Sequence, residues 1–300
     1  DAIYFGAVGW PTVPDHISLW GLRLPICQGF EQYANIRPSV LLPGVSGPLR
    51  GKQPGDIDFV VVRENTEGEY AGAGGRGHRG LPLEVAVETA IFTRAGVERV
   101  IRYAFELARR RPRRRLASVT KSNAQRFAMT LWDEVFEAVA AEYGEVATER
   151  VLVDAMAARF VLQPESLDVV VASNLFGDIL TDLGGAVVGG LGLAPSANLN
   201  PERRYPSMFE PVHGSAPDIA GKGSANPIAM IWSGALMLDF LGEVEAADLI
   251  VAAIKAVTAA GRVRTRDLPA LAPPSGPGGG RAGTVEMGDE IAAAVRTRRG

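Results

Sequence analysis

The chain has 300 residues, of which 47% are hydrophobic and 22% are charged, a composition typical of a globular protein with room for about two domains. Its net charge of −3 gives nucleic acid or an anionic membrane no overall attraction, and we expect neither as a partner. The single cysteine, Cys27, excludes an internal disulfide and a cysteine-rich zinc site, and it fits a reducing cytoplasm. The longest apolar stretch, residues 227–238, is interrupted by Ser233 and Gly234, which favours a buried helix over a membrane span.

Apolar runs of strand length alternate with helical patterns along the chain. The chain opens without methionine on the apolar run 2–8, which has no signal-peptide character, so we expect earlier residues to belong to the same protein. Further strands are predicted at 57–62, 115–120, 150–153 and 167–173, and helices at 88–110, 124–142, 175–188, 227–241 and 244–260. The alternation predicts an α/β fold with a largely parallel sheet.

Three segments of biased composition lie between these elements. Residues 71–80 contain the spacing G-x-G-x-x-G, but no helix follows directly, so we predict a mobile loop and not a dinucleotide fingerprint. Residues 109–115 hold six arginines around Pro112, where a solvated basic loop is commoner than a nucleic-acid site. Residues 272–283 are predicted to form a Pro/Gly-rich loop without visible chemistry.

Two aspartates, Asp178 and Asp182, lie four residues apart in a predicted helix and therefore on one face of it. Their like charges repel each other unless a cation lies between them. The helix begins just after the apolar strand 167–173, at the edge where open α/β sheets bind ligands, and Asp154 follows another strand-like run. Three carboxylates in this setting suit Mg²⁺ or Mn²⁺, and a solvated acidic helix face is the alternative.

Three basic residues lie beside the predicted strands. Arg63 follows strand 57–62, Arg37 precedes Pro38, and Lys121 follows strand 115–120. Because the planar guanidinium group matches a carboxylate bidentately, both arginines are candidates for binding a substrate carboxylate. Nearby cations lower the pKa of a lysine, which makes Lys121 a candidate general base. The alternative for each of the three is an ordinary surface charge.

The segment 208–229, MFEPVHGSAPDIAGKGSANPIA, is rich in glycine and small residues, which let a backbone loop approach a ligand closely. Asp218 within it offers a carboxylate that can accept hydrogen bonds from a ribose diol. The same charge repels a 2′-phosphate, so the segment favours NAD over NADP. Considered alone, the segment is only a turn-rich loop.

Together these segments resemble the metal-dependent β-decarboxylating dehydrogenases, the family of isopropylmalate, isocitrate, tartrate and D-malate dehydrogenases. The resemblance covers nearly the whole chain, and its motifs are highly specific when they occur together. Residues 15–21, DHISLWG, are most similar to the tartrate/D-malate branch. The other matching motifs are FGAVGWP, YANIRP, RENTEGEY, VTKSN, VDAM, SNLFGDILTDLGG and the loop at 208–229.

The resemblance implies a role for each matching residue. Arg37 and Arg63 would hold the substrate carboxylates, and Tyr70 would donate the proton that quenches the enolate after CO₂ leaves. Mg²⁺ or Mn²⁺ would be bound by Asp154, Asp178 and Asp182. Lys121 and Asp154 would reach into the active site of the partner subunit, so an obligate homodimer is implied. Asn123 would lie near the nicotinamide, and the adenosine half of NAD would be held by His213, Gly214, Ser215, Ala216, Asp218, Ile219 and Asn226.

The implied fold is an isopropylmalate dehydrogenase-like α/β fold of two domains with the active site in the cleft between them. Residues 1–32 and 189–300 would form the larger, NAD-binding domain, and residues 33–188 the smaller domain for substrate, metal and dimerisation. The implied reaction is the NAD-dependent oxidative decarboxylation of a small 2-hydroxy dicarboxylate, D-malate or tartrate. The alternatives are 3-isopropylmalate dehydrogenase and a catalytically impaired binding subunit of the same fold.

Two features depart from the family pattern. The glycine-rich turn that family members carry near the nicotinamide, ahead of the first matching motif, is not in this chain. An arginine is expected ten residues before Arg37, where this chain has Cys27. A thiol offers neither the charge nor the two-pronged donor geometry of a guanidinium group, so either another residue compensates or the substrate differs. Arg23, one helical turn earlier if this stretch is helical, is the residue that we expect to reach the same anion.

Overall fold

A computed structural model of the protein describes residues 1–268 and 281–299. Within these ranges, eight strands form one mixed sheet against which helices pack, and two further strands form a separate hairpin. The strands are β1 (Ala2–Tyr4), β2 (Ala34–Val40), β3 (Asp58–Glu64), β4 (Gly68–Gly77), β5 (Val85–Ile91), β6 (Arg115–Thr120), β7 (Ala147–Leu152), β8 (Val169–Ala172), β9 (Pro195–Leu199) and β10 (Ser207–Pro211). The predicted Pro/Gly-rich loop at 272–283 lies, up to residue 280, outside the described residues.

The helices begin with three consecutive short pieces near the amino end, which join into one helical segment. The three pieces are α1 (Asp15–Ser18), a π-helical turn (Leu19–Arg23) and α2 (Leu24–Gly29). The later helices are α3 (Arg94–Arg110), α4 (Ala128–Ala140), α5 (Val153–Leu162), α6 (Asn174–Val187), α7 (Ile228–Leu241), α8 (Val244–Ala260) and α9 (Thr284–Arg299). None of these helices is both long and apolar enough to cross a membrane. The apolar stretch predicted as a buried helix is α7, which ends at the left-handed residue Gly242.

The order of the large sheet is β1-β10-β9-β2-β3-β8-β6-β7. Four of its seven pairings are parallel, and the three that involve β9 and β2 are antiparallel. The prediction of an α/β fold with a largely parallel sheet is therefore confirmed. Strands β3 and β8 are continuous apolar runs because helices pack on both of them.

A buried amide at the centre of the sheet connects the two predicted domains. Strand β9 pairs with β2 so that Asn198 lies opposite Asn35. The side-chain oxygen of Asn198 accepts hydrogen bonds from Asn35 (2.9 Å), Asn65 (3.0 Å) and Arg23 (3.3 Å). One sheet therefore spans both predicted domains, and their boundaries stay a prediction.

The hairpin of β4 and β5 corrects two predictions. Residues 71–80, predicted as a mobile loop, belong mostly to β4, and the helix predicted from residue 88 begins only at Arg94, because the preceding residues form β5. Glycine is required at Gly74, since a Cβ atom there would collide with the carbonyl oxygen of Val87 on β5. The alternating β-branched residues of β5 are a strand pattern that the helical interpretation overlooked.

Other elements differ in extent or were not predicted. Strand β1 stops at Tyr4 because only Ala2–Tyr4 pair with β10. The strand predicted at 150–153 is β7, and Val153 already begins α5. The sequence did not predict α1, α2, α5, α9, β2, β9 or β10. Proline lies inside β2, at the start of β9 and at the end of β10, where it resembles a strand breaker, which explains why these strands were overlooked.

Two arginines of the basic segment bind the starts of the strands. Arg111 donates from Nε to the buried carboxylate of Asp168 at 2.5 Å. Arg113 donates to the backbone carbonyls of Asp58 (2.5 Å), Glu165 (2.8 Å) and Leu167. The prediction of a solvated basic loop is incomplete for these two residues: Arg111 satisfies a buried carboxylate where the chain enters the sheet, whereas Arg113 stays exposed while it donates to backbone carbonyls.

Candidate active site

Helix α6 starts directly after β8, at the carboxyl end of a strand inside the sheet. Strand β3 runs parallel to β8, which places Arg63 opposite Ala172 at the same edge. Gly177 lets the helix approach this arginine closely, since a Cβ atom at that position would collide with the side chain of Arg63. The fold thus presents one face of α6 to the end of β3.

A single carboxylate, that of Asp178, contacts three of the predicted site residues. Arg63 donates from Nη1 to Oδ1 of Asp178, and Arg37 donates to the same oxygen at 3.4 Å. The hydroxyl of Tyr70 donates to Oδ2 at 3.0 Å. The structure therefore brings Arg37, Arg63, Tyr70 and Asp178 together. Their predicted roles stay predictions.

Both arginines are also held by neutral side chains of α6. The side-chain oxygen of Asn174 accepts from Nε (3.0 Å) and Nη2 (2.7 Å) of Arg63, and Thr181 accepts from Arg37 at 2.6 Å. Sequence reasoning assigned no role to Asn174 or Thr181. The available signal was their position in the same motif as Asp178, one at the start of the helix and one a turn after the aspartate.

Charge and burial fix the protonation states of this cluster. Burial alone would raise the pKa of Asp178, but Arg63 and Arg37 lower it below its usual value. Burial and the repulsion of Arg63 lower the pKa of Arg37 to about 10. Burial and the neighbouring Asp178 raise the pKa of Tyr70. At neutral pH, Asp178 is ionised and Tyr70 keeps its proton.

Asp182 has quite different surroundings on the same face of α6. Its side chain is exposed and makes no hydrogen bond or ion pair with the described residues. Partial desolvation raises the pKa of its carboxyl; Arg37 opposes this shift, and the like charge of Asp178 reinforces it. Asp182 therefore offers carboxylate oxygens without a partner among the described residues, beside Asp178, whose oxygens accept from Arg63, Arg37 and Tyr70.

Lys121 and Asp154 form a separate pair at the ends of β6 and β7. The Nζ atom of Lys121 lies 2.5 Å from Oδ1 of Asp154, and this hydrogen bond lowers the pKa of the carboxyl. Asp154 lies in the first turn of α5, and Asn123 is exposed in the turn after β6. None of the three lines the two cavities of the cleft.

The predicted metal ligands consequently do not meet within one chain. Among residues 1–268 and 281–299, no group of three His, Cys, Asp or Glu side chains is close enough to hold a metal ion. Asp178 and Asp182 lie together on α6, whereas Asp154 is bound to Lys121. This separation is consistent with the expectation that a second subunit supplies Lys121 and Asp154.

Two adjoining cavities lead from the arginines to the glycine-rich loop. The first, of about 930 Å³, is lined by Arg23, Arg37, Glu210 and the segment after β1. The second, of about 870 Å³, is lined by all seven residues predicted to hold adenosine: His213, Gly214, Ser215, Ala216, Asp218, Ile219 and Asn226. Both cavities include residues 213–216, so they form one continuous cleft.

The loop that lines the second cavity is anchored from behind. Asn226 is buried, donates to Asp267 at 3.0 Å and accepts from the backbone N–H of Ile228 at the start of α7 (3.0 Å). Asp218 is exposed to the cavity, and Arg266 lines the same cavity. Sequence reasoning missed Arg266 because it lies far along the chain from the loop, in a segment without a recognisable local pattern.

The profile of the isocitrate/isopropylmalate dehydrogenase family matches residues 1–291. A probable tartrate dehydrogenase/decarboxylase of Agrobacterium vitis is 58% identical over 295 residues, which are 98% of this chain and 79% of that protein. A D-malate dehydrogenase (decarboxylating) of Escherichia coli strain K12 is 62% identical over 267 residues, which are 87% of this chain and 74% of that protein. A crystal structure of isocitrate dehydrogenase from Methylococcus capsulatus superposes with a TM-score of 0.86 at 37% identity and covers 98% of this chain and 81% of that one.

These similarities confirm the predicted family resemblance and the predicted fold. The relatives that match most of the chain at high identity carry the names of tartrate and D-malate dehydrogenases that decarboxylate their substrates. They support an enzyme that oxidatively decarboxylates a hydroxy acid. The chain belongs to the isocitrate/isopropylmalate dehydrogenase family.

Proposed function

We propose that the protein catalyses the NAD-dependent, Mg²⁺- or Mn²⁺-dependent oxidative decarboxylation of D-malate or tartrate. The observation that carries this proposal is the convergence of Arg37, Arg63 and Tyr70 on Asp178, beside a cleft that continues to the predicted adenosine loop. Two arginines suit a small dicarboxylate because each guanidinium group can bind a carboxylate bidentately. The names of the relatives support the choice between the candidate acids.

The donors on α6 fit a hard divalent cation. Asp178 and Asp182 present carboxylate oxygens on one helix face, and their mutual repulsion is the kind of strain that a bound cation relieves. We assign the metal to Asp178 and Asp182 of one subunit and Asp154 of the partner subunit. When bound, the cation polarises the 2-hydroxyl of the substrate and stabilises the negative charge that develops on decarboxylation.

The protein's own groups would handle the protons. Lys121, reaching in from the partner subunit, would take the proton of the 2-hydroxyl, and NAD, with Asn123 near its nicotinamide, would supply the hydride acceptor. After the β-carboxylate leaves as CO₂, Tyr70 donates its phenolic proton to the enolate carbon. The raised pKa of Tyr70 keeps that proton available at neutral pH. Arg37 and Arg63 hold the substrate carboxylates throughout.

The second cavity is assigned to NAD. Its lining residues Gly214, Ser215 and Ala216 are small, which lets the backbone lie close to a bound nucleotide. The exposed carboxylate of Asp218 favours a ribose diol over a 2′-phosphate. Arg266 adds a cation to the same cavity, so the preference between NAD and NADP depends on the balance of these two side chains.

A homodimer is part of the proposal because the site is incomplete within one chain. Helices α5 and α6 pack together and expose large apolar side chains, namely Leu162 (73% exposed) and Ile179 (54% exposed). Ile179 is adjacent in sequence to Asp178, so a subunit that covers it lies next to the metal aspartates. An exposed apolar side chain beside the metal aspartates is one that a second subunit would cover.

The direct test is a substrate panel with the purified protein. D-malate, tartrate and 3-isopropylmalate are assayed with NAD and with NADP, with and without Mn²⁺, by following reduced nicotinamide and released CO₂. The proposal expects Mn²⁺-dependent turnover of D-malate or tartrate with NAD. Turnover of 3-isopropylmalate alone would favour the alternative dehydrogenase, and metal binding without turnover of any of the three would favour the binding subunit.

A further inference from the structure

The connection between β3 and β4, residues 65–67, lies between two residues of the candidate site. Arg63 lies near the end of β3 and Tyr70 near the start of β4, and both side chains donate to the carboxylate of Asp178. Because the connection is short, its conformation sets the position of Tyr70 relative to Arg63. The contacts that hold the β3–β4 connection therefore bear on Tyr70, the proposed proton donor.

The carboxylate of Glu64, the last residue of β3, holds this connection from within. One oxygen accepts from the backbone N–H (2.9 Å) and the hydroxyl (2.7 Å) of Thr66, and the other accepts from the backbone N–H of Glu67 at 2.9 Å. All three donors thus belong to the connection itself.

This carboxylate is buried, since Glu64 is only 3% exposed. Burial raises the pKa of Glu64, and among the described residues the groups that oppose this shift are the donors of Thr66 and Glu67. Burying a carboxylate is costly, and an apolar side chain at this position would avoid that cost. What the carboxylate provides, and an apolar side chain would not, is the set of hydrogen bonds that fixes the β3–β4 connection.

The β3–β4 connection is also anchored to two helices. The side chain of Glu67 accepts from the backbone N–H (2.9 Å) and the hydroxyl (2.6 Å) of Thr93, the N-cap residue of α3. The backbone carbonyl of Glu67 accepts from the side-chain nitrogen of Asn174 on α6 at 3.0 Å. The side-chain oxygen of Asn174 accepts from Arg63, so one amide joins the arginine to the connection. The β3–β4 connection is therefore a preformed unit between α3 and α6.

We infer that Glu64 is a positioning residue that fixes the β3–β4 connection and thereby holds the hydroxyl of Tyr70 against Asp178. The hydrogen bonds of its buried carboxylate all lie within the connection, so Glu64 acts through Tyr70 and does not touch the substrate. The inference rests on the role proposed for Tyr70 in the decarboxylation.

The first measurement follows Tyr70 directly and needs no turnover. Protein labelled with 3-fluorotyrosine carries one fluorine on each of its six tyrosines, and Tyr70→Phe identifies the ¹⁹F resonance of Tyr70. Glu64→Gln keeps an acceptor for Thr66, but its amide N–H groups meet the backbone N–H of Glu67, so this hydrogen bond is lost. We expect the resonance of Tyr70 to shift in Glu64→Gln.

Asp168→Asn is the matched control, because Asp168 is also a buried carboxylate and lies just before β8, where it binds Arg111. Both substitutions are expected to lower Tm, but only Glu64→Gln is expected to shift the Tyr70 resonance. Thr66→Val removes one donor to Glu64 and preserves the charge. It is expected to shift the same resonance by a smaller amount, and it serves as the test if Glu64→Gln does not fold.

The second measurement is a double-mutant cycle in kcat for CO₂ release from D-malate or tartrate, with NAD and Mn²⁺. Glu64→Gln alone is expected to lower kcat about tenfold, which is part of the contribution of a general acid. In the Tyr70→Phe background it is expected to change kcat by less than about twofold, because the hydroxyl that it positions is already absent. A merely structural role would lower kcat by the same factor in both backgrounds.

An unchanged Tyr70 resonance in the variants of Glu64 and Thr66 would show that Glu64 does not position Tyr70. Equal losses of kcat in the two backgrounds would lead to the same conclusion. If the unmodified protein turns over neither D-malate nor tartrate, the proposed function itself fails, and the ¹⁹F resonance still decides whether Glu64 sets the position of Tyr70.

Discussion

Asp178 and Asp182 provide a matched pair of substitutions that separates folding from metal binding. Both lie on one face of α6, and replacement by asparagine keeps the shape of each side chain while removing its charge. Asp178→Asn takes the counter-charge away from Arg63 and Arg37. Asp182→Asn removes a charge that has no partner among the described residues. We expect both changes to abolish Mn²⁺-dependent turnover and only the first to destabilise the fold.

The burial of the two arginines gives the size of the stability loss expected for Asp178→Asn. The side chains of Arg63 and Arg37 are only 3% and 7% exposed, so their charges stay buried when Asp178 is neutralised. Hydrogen bonds to charged groups contribute about 1.5–3 kcal/mol. Because Asp178 itself is 38% exposed, the lower end of this range applies. A loss of about 1.5 kcal/mol lowers the Tm of a 300-residue chain by roughly 2–3 °C.

The two ionised carboxylates that these variants remove contribute to the free energy of unfolding with opposite signs. The pKa of Asp178 is lowered in the folded state, so its stabilisation is present above the unfolded pKa, about 3.9, and is lost as the pH falls through the folded pKa. The pKa of Asp182 is raised in the folded state, so its ionised carboxylate destabilises the fold, and this effect is complete once the pH exceeds the folded pKa. At neutral pH, Asp182→Asn is therefore expected to leave Tm unchanged or to raise it slightly.

The assay combines thermal unfolding by circular dichroism at pH 7 and near pH 4, Mn²⁺ titration by calorimetry, and steady-state turnover. Mn²⁺-dependent turnover that survives in either variant would refute the metal assignment. Equal losses of Tm in the two variants would refute the reasoning from the arginine contacts.

Three further substitutions test the remaining roles. Lys121→Met is expected to leave NAD binding, followed by fluorescence titration, intact while removing hydride transfer; an unchanged rate would show that another group is the base. Tyr70→Phe removes the hydroxyl that contacts Asp178 and is expected to lower kcat about a hundredfold, measured as CO₂ release, whereas an unaltered kcat would exclude Tyr70 as the proton donor. Asp218→Lys adds a cation beside Arg266 and is expected to raise kcat/KM with NADP relative to NAD; an unmodified protein that uses NADP as well as NAD would contradict the cofactor assignment.

The sequence was informative where a local pattern decides the structure. The apolar run of β8 and the i, i+4 spacing of Asp178 and Asp182 placed α6 within one residue of its observed start, and α8 was predicted with its observed bounds. The family motif singled out the loop that is predicted to hold adenosine, and its residues line one cavity in the structure. These features depend on neighbouring residues, which a sequence displays directly.

Contacts between distant segments were beyond local reasoning. Arg23 donates a hydrogen bond to Glu210, which lies 187 residues later in the sequence, and no local pattern near either residue predicts this contact. The two arginines predicted as substrate ligands also contact Asp178, a predicted metal ligand, which no spacing rule reveals. The β4–β5 hairpin was overlooked because glycines that fit a closely paired strand look, in isolation, like a loop.

The amide of Asn198 limits how the cleft can open. Its oxygen receives donors from β2, from Asn65 after β3 and from Arg23, and its nitrogen donates to Glu210 at 2.9 Å. Breaking these bonds together would leave several buried polar groups unsatisfied, so the β9–β2 junction acts as a fixed pivot. Any opening motion must therefore bend the chain on either side of this junction. The same amide accepts from Arg23, which lines the first cavity, so the pivot and one wall of that cavity are a single rigid unit.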